Sequence, residues 1–213
     1  MGVDGNKAYW DNRYGKEGKI WGESPSKSAF YALKLFKKHK IMKILIPGSG
    51  YGRHTKFYSE NNYKVVGIEI SEIALGIAKE FDPQTKFING SVLEMDNIEE
   101  IFDAIYCYNV LHLFLTNKRQ KFLKKCYNKL NKNGLVFFTV FSEEETSFGK
   151  GKELEKNTFE SKPGRPTHYF SGDDLINHFN DFNIIETDII KDQEDHGERG
   201  PHTHILRYLF AQK

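Results

Sequence analysis

Two periods of apolar residues alternate along the chain. Short, nearly continuous apolar runs predict buried strands at 42–46, 64–69, about 85–89, 102–110 and 134–141. Between them the apolar positions return at helical spacing. Ser24-Pro25 predicts a helix start, with Ser24 as N-cap, Pro25 at the first helical position and Ala29, Leu33 and Phe36 on one face as far as about residue 40. A second helix is expected from Gly52 to about 61, a third from its cap Ser71, and a fourth over 117–130 with Phe122, Leu123 and Cys126 turned inward. From Ser142 to Phe170 the pattern lapses into charge, glycine and proline, which predicts a long loop or lid. Ser171 then caps a short helix to about 178, and strands near 182–190 and 203–211, joined by the polar segment 192–201, read as an edge hairpin. The expected fold is α/β: a doubly wound, mostly parallel seven-stranded sheet with an antiparallel edge hairpin and helices on both faces.

Composition narrows the class. A chain of 213 residues with 38% hydrophobic and 14% aromatic residues can build one α/β core and is not of disordered composition. The net charge of +2, from 31 basic and 29 acidic residues, gives no field that would drive the protein onto nucleic acid, and no such partner is expected. Basic runs such as Lys37-Lys38-His39-Lys40 and Lys118-Arg119-Gln120-Lys121 read as solvated helix faces. No apolar run is long enough for a membrane helix and the polar start lacks the apolar stretch of a signal peptide, so a cytoplasmic location is expected. Cys107 and Cys126 have no CxxC or metal-ligand spacing and read as packing thiols in a reducing compartment. Oligomeric state leaves no mark on the sequence.

The first strand runs into Gly48-Ser49-Gly50-Tyr51-Gly52-Arg53, and the second ends at Glu69. A strand, a glycine-rich turn that opens a helix, and an acid about 20 residues on form a nucleoside-binding half of an α/β sheet. Glycines let the backbone approach a ligand, and the carboxylate can accept both ribose hydroxyls. The spacing is GxGxG; a dinucleotide fingerprint would need glycine where Arg53 stands, which argues against a nicotinamide dehydrogenase.

This loop resembles motif I of the Rossmann-like (class I) S-adenosylmethionine-dependent methyltransferases. Val66-Gly-Ile-Glu69-Ile70-Ser71 resembles their motif II, Phe87-Ile-Asn-Gly90-Ser91-Val92 their adenine-contacting loop, Phe102-Asp-Ala-Ile-Tyr-Cys-Tyr-Asn109 their motif IV, and Leu130-Asn-Lys-Asn-Gly134-Leu the turn before strand five. Tyr9-Trp10-Asp11-Asn-Arg13-Tyr14, with Trp21-Gly22 and Pro25-Ser26, resembles the amino-terminal cap of the tellurite-resistance and thiopurine types; Ile46 stands where many relatives carry an acid. The resemblance implies one methyltransferase domain over 1–213, with a cap at 1–40, a cofactor-binding core at 41–141, a loop or lid at 142–170 and the C-terminal sheet edge at 171–213. It implies S-adenosyl-L-methionine as cofactor, with S-adenosyl-L-homocysteine as product. Trp10, Arg13, Trp21, Gly48, Ser49, Gly50, Glu69, Ile70, Ser91, Val92, Asn109 and Val110 are the expected cofactor-binding residues.

The end of strand four reads Asn109-Val-Leu-His112 rather than the Asp/Asn-Pro-Pro-aromatic motif of enzymes that methylate DNA bases or protein glutamine, which favours a small acceptor. A thiol or chalcogen oxyanion, soft and anionic, would need no base; for a protonated acceptor His112 is the candidate base, its alternative reading being a helix-start histidine bonded to backbone. Tyr14, Arg165, His168, Tyr169, His202 and His204 are candidate acceptor-side residues, and a further cluster runs from His196 to Arg199. His202 and His204 share one face of an extended strand, which suits two metal ligands, an anion-binding patch or an ordinary edge surface. Two ligands do not define a site, and no metal is expected. The alternative functions are methylation of a protein or RNA residue, and non-catalytic binding of S-adenosylmethionine.

Overall fold

The alternating strands assemble into one seven-stranded sheet with the spatial order β3-β2-β1-β4-β5-β10-β9. The computed structural model describes residues 3–195 and 200–213; His196 and Arg199 lie outside the described residues. The strands are β1 (Lys43–Pro47), β2 (Lys64–Glu69), β3 (Lys86–Asn89), β4 (Phe102–Tyr108), β5 (Leu130–Phe141), β9 (Asn183–Asp195) and β10 (Pro201–Gln212). β1 to β5 pair in parallel, and β10 runs antiparallel between β5 and β9, with Leu209 opposite Phe138. This is the sheet expected from the sequence, edge hairpin included.

Successive strand residues point to opposite faces, and each face has its own core. Leu45, Ile105, Cys107, Val136, Phe138 and Leu209 pack on one side with α5 (Thr116–Asn128) and α6 (Gly172–His178). Ile44, Ile46, Ala104, Tyr106, Phe137 and Phe210 pack on the other with α2 (Lys27–Lys38) and α3 (Arg53–Glu60). Cys126 lies beside Cys107 in the first core; both thiols are free, and burial pushes their pKa values up, so they remain packing groups. Helix α4 (Glu72–Phe81) carries the predicted Ser71 cap, whose Oγ accepts from the Ala74 amide at 3.1 Å. No helix among the described residues is long and apolar enough to cross a membrane.

The structure adds one element and corrects three expectations. First, α1 (Val3–Glu17) makes the N-terminal cap helical, which its polar, weakly periodic sequence conceals. Second, the N-cap of α2 is Ser26 and not Ser24. Ser26 Oγ accepts from the Ala29 amide at 3.3 Å and also bonds His54 Nε2 at 3.0 Å and the Tyr106 hydroxyl at 3.1 Å, whereas Ser24 is exposed. Tertiary partners decide between two cap candidates of equal local merit. Third, the 142–170 segment holds a three-stranded antiparallel sheet of β6 (Lys152–Glu155), β7 (Thr158–Lys162) and β8 (Arg165–His168). Its turns use Asn157 at φ 58° and Gly164 at φ 74°, and its exposed faces lack the apolar alternation that announces a strand. Fourth, 192–195 belong to β9 rather than to a polar connection, and Asp192 and Glu194 are buried.

Ser26→Ala is expected to lower stability to urea by about 1–2 kcal/mol through loss of a cap and a buried hydrogen bond, and Ser24→Ala by less than about 0.5 kcal/mol. Equal losses would refute the assignment of Ser26 as cap.

Candidate active site

The strand order reverses at β1, whose neighbours β2 and β4 carry the chain away in opposite directions across the sheet. A crevice forms at the carboxyl ends of the strands on such a switch point. The chain leaves β1 through Gly48, Gly50 and Gly52 with φ values of 67°, 57° and 93°. Space is as restrictive as conformation: a Cβ on Gly48 would stand 2.4 Å from Val110 Cγ2, and one on Gly50 2.9 Å from the Tyr14 hydroxyl. The loop is therefore held between the exit of β4 and helix α1.

Glu69 ends β2 and is 5% exposed. Its Oε2 accepts from the Gly50 amide at 2.8 Å and its Oε1 from the Ser71 amide at 2.9 Å. Burial raises its pKa above the ordinary glutamate value, and the amides of Ser71, Gly50 and Ile70 oppose that shift. One carboxylate thus joins the glycine loop to the start of α4. Ser71 Oγ donates to Asp11 Oδ1 at 2.6 Å, tying α1 to the same point. Beside it, Ser49 Oγ is buried with no hydrogen-bond partner among the described residues. Ile46, in contrast, is buried in the core beneath α2, away from the crevice.

A cavity of about 370 Å³ opens along this edge. All twelve residues expected to bind a cofactor line it: the loop residues Gly48, Ser49 and Gly50; Glu69 and Ile70; Ser91 and Val92; Asn109 and Val110; and Trp10, Arg13 and Trp21 from the N-terminal segment. His112, Tyr14, Arg165, Tyr169 and His204 also line it. Two candidates lie elsewhere. His168 is buried between Thr158 Oγ1 and Asp174 Oδ2, each at 2.7 Å, and His202 approaches Glu145 outside the lining.

The N-terminal wall is an aromatic cluster. Trp10 stacks on Tyr14 at 5.7 Å and Trp21 on Tyr51 at 6.2 Å. The Arg13 guanidinium lies 5.2 Å from the Trp21 ring centre, and that of Arg165 lies 5.4 Å from both Tyr9 and Trp10. The Trp21 amide donates to the Tyr51 hydroxyl at 3.1 Å, and Arg53 Nη1 donates to the Trp21 carbonyl at 3.3 Å.

Arg53 itself is buried against Glu194, which also accepts from the Tyr108 hydroxyl at 3.0 Å. Burial disfavours the Arg53 charge, but Glu194 outweighs it and the guanidinium pKa is raised. Tyr51, Arg53, Tyr108 and Glu194 all line the cavity and were absent from the sequence-predicted set. For Glu194 a signal existed: Asp192 and Glu194 alternate at period two, as His202 and His204 do on the facing strand.

His112 sits in the 3-10 turn Leu111–Leu113 that follows β4 and is 1% exposed. Its ring stacks on Phe141 at 4.2 Å, and its Nδ1 is buried without a hydrogen-bond partner among the described residues, backbone included. Burial first, and then the charges of Arg165, His204 and His168, holds its pKa well below the ordinary histidine value, so the imidazole is neutral. The charged residues lining the cavity are Arg13, Arg53, Lys118, Lys162 and Arg165 against Glu69 and Glu194, so the interior is biased towards anions.

A family model described as a methyltransferase domain matches residues 45–138. No curated protein sequence matches the chain. Among solved structures, one reported for conversion of a disulfide bond into a thioacetal group during echinomycin biosynthesis superposes with a TM-score of 0.77 at 15% identity, over 97% of this chain and 92% of that one. TehB from Haemophilus influenzae gives 0.68 at 16% identity, over 96% and 67%. The 1,6-didemethyltoxoflavin-N1-methyltransferase of Burkholderia thailandensis, solved with its didemethyltoxoflavin and S-adenosylhomocysteine, gives 0.67 at 19% identity, over 99% and 85%. The fold is that of the class I S-adenosylmethionine-dependent methyltransferases.

Gly48→Ala is expected to destabilise the protein by about 1–3 kcal/mol, because a Cβ overpacks against Val110 in a left-handed backbone. Adding Val110→Ala, which removes the colliding Cγ2, should restore part of that loss in a urea titration. Strict additivity of the two substitutions would show that the contact is not the cause.

Proposed function

We propose that this protein is an S-adenosylmethionine-dependent methyltransferase whose acceptor is a small, soft anion of the thiol or chalcogen-oxyanion class. The observation that carries the reading is Glu69, a buried carboxylate facing the cavity, bonded to backbone amides and without a counter-cation among its partners. Such a group suits a ligand that brings hydroxyl donors. The orphaned Ser49 Oγ beside it fits the same ligand.

Glu69 would accept the ribose hydroxyls, Ser91 and Val92 would border the adenine, and Gly48, Ser49 and Gly50 would lie along the methionine part. Ile70, Asn109 and Val110 flank that path, and Trp10 and Trp21 cover it, with Arg13 available to the cofactor carboxylate. Because Ile46 faces the opposite core, recognition of the amino group falls to backbone carbonyls or to another side chain. When bound, the cofactor supplies an electrophilic sulfonium methyl and its own leaving group.

The protein's remaining task is to hold the acceptor in line and keep water away. The aromatic cluster excludes water. Arg165, Lys162 and the neutral His112 line the acceptor side, where the cations draw an anion in and the imidazole can orient it or take its proton. A soft nucleophile with a low pKa arrives already ionised, so only a protonated acceptor needs His112 as a base.

Calorimetric titration with S-adenosylhomocysteine should give one-to-one binding, weakened at least tenfold in Glu69→Ala; undiminished affinity would remove the cofactor assignment. Wild-type affinity should be constant above the Glu69 pKa and fall as pH descends through it, because protonation removes the acceptor of the ribose hydroxyls. With that pKa raised, the fall begins at a higher pH than an ordinary glutamate would give, and Glu69→Gln should be weak and flat over the same range. His112→Ala should slow methyl transfer to an acceptor that arrives protonated by about 10²-fold with S-adenosylhomocysteine affinity preserved; an unchanged rate across several such acceptors would exclude His112 from the chemistry.

A further inference from the structure

His202 and His204 stand two residues apart on β10 and project from one face, towards the turn that follows β5. From that turn comes a residue the sequence does not connect with them. Glu145 is 4% exposed; its Oε2 accepts from the Ile205 amide at 2.6 Å, and its Oε1 lies 3.3 Å from His202 Nε2 and 3.0 Å from His204 Nδ1. The backbone bond fixes one carboxylate oxygen and aims the other between the two imidazoles. Three donor atoms, one from each residue, lie within 4.8 Å of one another.

We propose that Glu145, His202 and His204 form a binding site for a divalent transition-metal ion on the acceptor side of the cavity. Ligand bonds of about 2.0–2.2 Å place neighbouring donors on one ion about 3.0–3.5 Å apart, which is the separation of both Glu145–His pairs. Two imidazoles and a carboxylate are the donor set that zinc and ferrous iron accept, with positions left open for another ligand.

The surroundings of His204 supply an independent observation. With its Nδ1 turned to Glu145, its Nε2 faces Glu194 Oε2 at 3.6 Å. A carboxylate behind a ligating histidine sets the tautomer and makes the ring a better donor. Glu194 is in turn held by Arg53 and Tyr108, so this support is rigid. Metal binding needs a proton on Nε2 and a lone pair on Nδ1, and Glu194 favours that tautomer.

The location bears on the chemistry. Phe141 lies between two imidazoles, His204 at 5.1 Å and His112 at 4.2 Å, and both of those line the cavity. The open positions of the ion would thus be available to an acceptor carrying a thiolate or oxyanion. That role alone rests on the methyltransferase reading; the metal site itself does not.

The test uses the full chain after treatment with a chelator, titrated with Zn²⁺ alone. One ion per chain should bind, with affinity at least about 100-fold weaker in Glu145→Gln and in His202→Ala, because losing a ligand costs more than the about 10–100-fold lost when a group behind a ligand is removed. S-adenosylhomocysteine affinity, unchanged in both, would establish that the variants fold. Cu²⁺ loaded at one equivalent on the unaltered protein should give an electron-spin-resonance spectrum with coupling to two imidazole nitrogens, a readout that needs no variant. Absence of stoichiometric Zn²⁺ binding, variants that bind as well as the parent, or a copper spectrum without imidazole coupling would each overturn the site. An unaltered protein that binds S-adenosylhomocysteine but not zinc would refute this proposal and leave the cofactor reading standing; one that binds zinc but not S-adenosylhomocysteine would do the opposite.

Discussion

The buried pair of Arg53 and Glu194 is the interaction on which the cavity depends. Arg53 begins the helix after the glycine loop, and Glu194 belongs to the last edge strand, so the pair spans the sheet. The same arginine holds the Trp21 carbonyl, and the same glutamate holds the Tyr108 hydroxyl and faces His204. Glycine loop, N-terminal cap, strand four and edge hairpin therefore meet at one point. A buried ion pair is poor evidence for stability, since each charge has lost its water, but breaking one by removing a partner costs about 3–5 kcal/mol. The pair is better understood as fixing an arrangement: with either charge present, the other has one low-energy position.

The core of the fold was legible because its signal is local. Strand β1, the glycine turn, Glu69 and the Ser71 cap each follow from neighbours in sequence: an apolar run, a backbone requirement, a period, a side chain three residues from an amide. The twelve residues expected around a cofactor came instead from the resemblance of these motifs to a known family, and all of them line one cavity. The small sheet at 152–168 was not legible, because its buried positions are the polar Thr158, Thr167 and His168, which print no apolar alternation. Nor was the cap of α2, where Ser24 and Ser26 are locally equivalent and only His54 and Tyr106, brought near by the fold, distinguish them.

Long-range polar pairs explain the residues missed in the site. Arg53 was read for the glycine it displaced, and its own partner lies 141 positions away. Glu145 sits 57 residues from His202, so a sequence offers two histidines and the fold supplies the third group. His168 shows the converse. Its histidine-rich neighbourhood suggested a substrate contact, but the ring fastens Thr158 to Asp174 and so braces the small sheet against α6. Chemically expressive residues serve architecture as readily as function, and only their partners tell which.

Ser71 gives the cavity a lever. Its amide is bonded to Glu69 and its hydroxyl to Asp11, the residue next to Trp10 on α1. The carboxylate and the aromatic cover thus hang from opposite ends of one serine. Removing that serine would therefore loosen the floor of the crevice and its roof together, although the two are built from segments 60 positions apart in the chain.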